Sequence, residues 1–252
     1  MTPSERFEIL NKFIGYGDLE QAQLFFLGLE EGGLPWTRSE EDDRKITRRA
    51  TPPYLTRDKW DEDNSDWRDY FKITNRMQTY LATTLRRAVN YVPACDLEIR
   101  RYFFEEFGSA FEFQTNFFPL ACPKLSIWPQ EYPKLFFGDR SLKKEEYYSE
   151  CIQSDRAEVI RRLVRTVRDS RVQKYMVVMG YALWDVLQER VFMPECIFFP
   201  RDRSWKRGGK STGLSIVTKW SEDKRFWLCG HPNGGWFSKA VADFIVDEIR
   251  NG

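Results

Sequence analysis

Four short apolar runs, each closed by turn residues and separated by long amphipathic stretches, constrain this chain more than any other feature. They are Gln23-Leu-Phe-Phe-Leu-Gly-Leu29, Ala110-Phe-Glu-Phe-Gln-Thr-Asn116-Phe117, Lys174-Tyr-Met-Val-Val-Met-Gly180 and Arg225-Phe-Trp-Leu-Cys-Gly230. A strand covered on both faces reads as a nearly continuous hydrophobic run, and parallel strands need helical crossovers between them. Helical periodicity places those crossovers at 4–15, 67–89, 143–170 and 238–250. The expected fold is α/β: a three-layer α/β/α sandwich around a four-stranded parallel sheet, as one domain over residues 1–252. Ser215–Trp220 against Arg225–Leu228 predicts an added antiparallel edge turning at 221–224. A polar stretch at about 37–64, with Pro52-Pro53 inside it, reads as a long insertion, either a functional lid or inert.

Composition excludes several classes. No run of eighteen apolar residues occurs, so no membrane partner is expected. Met1-Thr-Pro-Ser-Glu-Arg6 lacks the apolar region of a signal peptide, which predicts an intracellular, cytoplasmic protein without excluding the nucleus. The five cysteines are scattered with no C-x-x-C pair, which reads as reduced, mostly buried thiols. With one histidine besides, neither a metal nor another cofactor is expected. No obligate protein partner is evident.

A net charge of +1 means that any nucleic-acid binding must use a local basic surface. Arg201, Arg203, Lys206, Arg207 and Lys210, interleaved with Trp205 and two glycines, supply one and read as a mobile phosphate-contacting loop. A solvated basic turn is the plainer reading. Gly208-Gly-Lys-Ser211 lacks the full phosphate-loop pattern, so nucleotide hydrolysis is not expected.

In open α/β sheets ligands bind at the carboxyl ends of the strands. The first strand ends in Gly28-Leu-Glu30-Glu31-Gly32-Gly33, where glycine permits close backbone approach and a carboxylate can orient water. The second carries Asn116, whose carboxamide offers a donor and an acceptor side by side, the pairing a nucleobase edge needs. The fourth runs into His231-Pro-Asn233-Gly234-Gly-Trp236, which holds the single histidine. Taken singly, each is also an ordinary turn or strand end.

Together they resemble the uracil-DNA glycosylase superfamily. Its first motif is a strand followed by G-x-D/N-P-Y/G, its second a strand followed by H-P-S-P, and an asparagine-bearing strand lies between. The resemblance implies a monofunctional glycosylase that hydrolyses the N-glycosidic bond of a flipped-out uracil or modified pyrimidine in DNA. By matched position, Glu30 replaces the water-positioning residue and His231 faces the carbonyl oxygen of the leaving base. Asn116 reads the pyrimidine edge, with Gly28 and Gly32 lining the pocket and Trp36 and Phe117 as stacking platforms. Asn233, Gly234 and Trp236 meet the DNA backbone together with the basic segment. No lysine falls at these strand ends, so Schiff-base lyase chemistry is not expected.

Three departures stand out: glutamate at 30, Glu31 in place of proline, and Asn233-Gly234 in place of Ser-Pro. Gly32 stands where the most uracil-restricted members carry tyrosine, which implies tolerance of a substituent at carbon five of the pyrimidine. Two alternatives stay open: a catalytically inactive nucleic-acid binder of the same fold, and a nucleoside or nucleotide N-glycosidase.

Overall fold

Leu24–Gly32 (β1) shows why the apolar runs are continuous. Its alternate side chains enter two separate cores: Phe25, Leu27 and Leu29 on one face, Leu24 and Phe26 on the other. Tyr175–Met179 (β3) and Phe226–Cys229 (β6) divide their residues in the same way. This computed structural model describes residues 1–32, 34–50, 72–89, 111–122, 126–138, 140–180, 191, 198–207, 210–230 and 239–251. For 31–32, 72–75, 198–207 and 210–220 the description covers the backbone alone.

Glu112–Cys122 (β2), Phe198–Arg207 (β4) and Lys210–Ser221 (β5) complete a six-stranded sheet of order β2-β1-β3-β6-β5-β4. The first four in that order are parallel, and β5 and β4 extend the β6 edge antiparallel. The α/β class, the parallel sheet and the antiparallel edge all follow the sequence reading. The edge is one strand wider than expected. Arg201, Arg203, Lys206 and Arg207 lie on β4 and Lys210 opens β5, so the presumed basic loop is a β-ribbon held by a backbone ladder. Charged residues suit a sheet edge because they discourage pairing with other chains.

Helices cover both faces. On the first lie Pro3–Lys12 (α1), Glu40–Arg49 (α2), Tyr132–Phe136 (α4), Lys144–Gln153 (α5) and Asp155–Arg168 (α6). On the second lie Lys72–Ala88 (α3) and Lys239–Arg250 (α7). Three expected boundaries change. The run 143–170 is two helices, because Ser154 leaves the helical conformation and its hydroxyl accepts from the Arg156 N–H to cap α6. The first helix stops at Lys12 rather than 15. The insertion is partly helical: Ser39 caps α2, with acids filling its first turn and arginines its last. Residues 51–71 lie outside the described residues. Among the described residues no helix is long and apolar enough to cross a membrane.

From β1 the chain first adds β2 on one side and later β3 on the other. The order therefore reverses between β1 and β3, and the carboxyl ends there frame the crevice in which such sheets hold ligands.

Candidate functional site

At the reversal point Gly28 is flanked by Asn116 on β2 and Met179 on β3. A Cβ at Gly28 would lie 2.1 Å from Asn116 Oδ1. The carboxamide therefore rests across the glycine, and no other residue fits at 28 without moving it. Asn116 is half-buried, and among the described residues no hydrogen bond engages its side chain. Its backbone carbonyl, by contrast, is fixed by the Arg156 guanidinium from the first face.

Gln78, on α3, reaches the same level from the second face. Its Nε2 lies 3.8 Å from Met179 Sδ, while its Oε1 is buried and has no hydrogen-bond partner among the described residues. Nothing in the sequence marked this residue. Among the described residues, the rim at β1 thus presents one unbonded carboxamide and one unmet acceptor on either side of a bare glycine.

Glu30, two residues further along β1, turns to the opposite face. The ladder shifts here, from Glu30↔Phe118 to Gly32↔Cys122, which re-aims the strand end. Lys144 Nζ sits 2.9 Å from Glu30 Oε1 and 3.0 Å from Oε2, and Tyr148 Oη donates to Oε1 at 3.2 Å. Only 4% of the glutamate side chain is exposed, and 9% of the lysine's. The Tyr148 ring stacks on Phe118 with centroids 4.0 Å apart, which closes this cluster from the side. Burial raises the Glu30 carboxyl above the usual range, opposed by Lys144, Cys122 and Tyr148. Burial together with the Glu30 charge pushes the Cys122 thiol up to about 12, and raises the Tyr148 phenol as well.

A lysine does therefore stand at a strand end, contrary to the sequence reading. It arrives from α5, 114 positions away from Glu30. The pair fixes both carboxylate oxygens, so Glu30 acts as a held charge rather than a free base. Neutral thiol and phenol neighbours leave that charge balanced by the lysine alone among these four groups.

Other expected site residues separate. Phe117 is wholly buried and packs edge-on against Phe118. Trp36 is 7% exposed, with the Arg49 guanidinium 4.8 Å from its ring centroid and its backbone N–H donating to Tyr132 Oη. Both are core residues and not stacking platforms, because the helices of the first face close over them. Gly32 ends β1 beside Cys122. His231, Asn233, Gly234 and Trp236 lie outside the described residues. Cys122, Cys151 and Cys229 are buried thiols in no disulfide, as the scattered spacing implied. Comparison with protein-family models, with curated proteins and with solved structures finds no match.

Proposed function

We propose that the carboxyl rim between β2, β1 and β3 binds a nucleobase, and that the protein hydrolyses the N-glycosidic bond of a flipped-out uracil or modified pyrimidine in DNA. The observation that carries this reading is the unengaged Asn116 carboxamide held across Gly28 at the reversal point of a parallel sheet. A carboxamide lying over a bare backbone with its donor and acceptor unspent can pair with a base edge, and the unmet Gln78 acceptor adds a second polar point at the same level. In this reading Glu30 supplies fixed negative charge near an oxocarbenium-like sugar, and His231 polarises the leaving base. No cofactor is needed for such a hydrolysis.

A second reading has its own support. Glu30 is locked by Lys144 and Tyr148 and reaches the rim from the face opposite Asn116. That arrangement suits a protein that binds a base without cleaving it.

Incubating the protein with oligonucleotides carrying uracil or 5-substituted pyrimidines, and scoring alkali-labile sites, decides between the two. Cleavage by the wild-type chain is expected, slowed ~10²–10⁴-fold in His231→Ala with melting unchanged. Gly28→Ala should weaken base recognition by displacing the Asn116 amide. Binding to these oligonucleotides with no abasic product would select the second reading.

A further inference from the structure

Outside the rim, α3 and α7 lie side by side on the second face and enclose a groove of about 1070 Å³. Tyr80 Oη donates to Asp243 Oδ1 at 2.5 Å across the helix pair, and Lys239 Nζ lies 5.1 Å from the Tyr80 ring centroid. The charged residues lining the groove are Arg76, Arg87, Lys239 and Arg250, with no carboxylate among the lining residues. On α7, Asp243 is engaged by Tyr80. None of the three arginines is held in an ion pair with a described residue. Three arginines of α6 differ: Arg161 and Arg165 share Glu158, and Arg168 pairs with Asp169. Like charges left facing one another in a concave surface focus a positive potential that favours an anionic partner.

The spacing of the cations says which kind. Arg76 and Lys239 lie at the carboxyl rim, since Gln78 touches Met179 and α7 follows the end of β6. Arg87 and Arg250 lie toward the amino end of the sheet, each eleven residues further along its helix. At the helical rise that separates the two pairs by about 16 Å. One phosphate can reach only one pair. A nucleic-acid strand carries a charge about every 3.4 Å along its axis, so several phosphates fit between and beside both pairs. The floor is neutral: Thr83 and Thr84 donate back to the Thr79 and Tyr80 carbonyls, which leaves hydroxyl oxygens but no opposing charge.

We propose that the α3–α7 groove is a track for the phosphate backbone of a nucleic-acid strand, leading away from the carboxyl rim. The track is separate from the β4–β5 ribbon, and it does not depend on base cleavage.

The test is anisotropy of a labelled twenty-residue oligothymidylate titrated at several salt concentrations. It uses the full chain, Arg76→Gln/Lys239→Gln, Arg87→Gln/Arg250→Gln and, as a comparison, Arg203→Gln/Lys206→Gln on the ribbon. The groove side chains are at the surface, so thermal melting should be unchanged. Each groove pair should flatten the log–log salt slope by about 1.4 units, at about 0.7 per single-strand phosphate contact. The loss should be the same for oligonucleotides of other sequences, because phosphate contacts carry no base information. The proposal is overturned if the wild-type chain binds no oligonucleotide, or if only the ribbon pair changes the slope. It is equally overturned if inorganic pyrophosphate or phosphatidylserine vesicles compete as well as the oligonucleotide does. An all-thymine probe keeps this result separate from base release, whose failure would leave the slopes untouched.

Discussion

On the face covered by α1, α5 and α6, the guanidinium of Arg156 is 1% exposed and ringed by acceptors. It donates to the carbonyls of Asn11, Phe13, Phe117 and Asn116 and to Thr115 Oγ1. Other buried charges of that face have partners as well: Lys144 pairs with Glu30, Arg6 with Asp43, and Arg49 donates to Tyr16 Oη. On the face covered by α3 and α7, Glu112 is equally buried, yet among the described residues its Oε2 has no hydrogen-bond partner, and neither has Gln78 Oε1. The first face has orphan atoms too, but Asn11 and Trp36 do not titrate, Asp43 Oδ1 faces the Arg6 guanidinium, and Arg48 and Arg49, whose Nε atoms are unmet, keep other partners. A buried charge is tolerable when it is paired and hydrogen-bonded; otherwise the group becomes neutral or waits for a ligand. The first face therefore ties the sheet ends to their helices. The second face carries Glu112 and Gln78, each with one buried oxygen that the described residues leave unmet, and it carries the groove as well.

The largest effect should come from breaking the satisfied side. Arg156→Met keeps most of the side-chain volume but removes donors from several buried carbonyls that belong to α1's end and to β2. The expected loss is about 4 kcal/mol, near the upper end for single substitutions, read from the urea midpoint at constant slope. Because Asn116 loses its backbone anchor, base recognition should fall along with stability. A loss below ~1 kcal/mol would mean that the carbonyls find other partners, and the two faces would no longer differ.

Next in size is the unpaired acid. Glu112 rises from 4.5 to about 8, because burial outweighs the nearby Arg86 charge. Between those two values the folded chain keeps a proton that the unfolded chain has released. Stability therefore falls as pH rises through that window, by about 1.4 kcal/mol per unit at most, and levels off above it. Glu112→Gln removes the titration, so if the two are about equal near pH 5, the variant should be more stable than wild type by about 3.5 kcal/mol near pH 8. Denaturation curves across that range check it. A flat wild-type profile with a destabilised variant would show Glu112 ionised and held by Arg86, which would make the second face resemble the first.

The same contrast explains what could be read in advance. Residues 24–29, 175–179 and 226–229 were legible as parallel strands because both their faces are covered, which leaves few polar positions. The meeting of Asn116 with Gly28 was legible because both stand near the carboxyl ends of strands in one parallel sheet. The β4 strand was not, since a charged edge such as Arg201–Arg207 lacks any apolar alternation. Helix α2 did leave a signal, Ser39 followed by four acids and closed by two arginines, but its high charge reads as loop composition. Lys144 and Gln78 could not be found at all. A pair 114 positions apart, or a lone glutamine inside a helix, leaves no local pattern; only the packing of α5 and α3 onto the sheet brings them to the rim.

The smallest effect is the most discriminating one. Gln78→Met replaces a carboxamide with an unbranched side chain of similar volume beside Met179. It removes an acceptor that has no partner, together with a weak 3.8 Å contact to sulfur. If that acceptor serves only a ligand, the fold should not miss it. Stability should hold or rise by up to ~1 kcal/mol, because a buried polar group is no longer kept from water without compensation. Recognition of the base should weaken at the same time, since a site built to hydrogen-bond loses more from a missing partner than a purely apolar pocket would. Thermal melting and base-dependent binding, measured on the same preparation, give the two readings. A fall in stability of ~2 kcal/mol or more would show that Gln78 already has a structural partner. A gain in stability with recognition unchanged would make its oxygen a packing defect, and the rim would then rest on Asn116 alone.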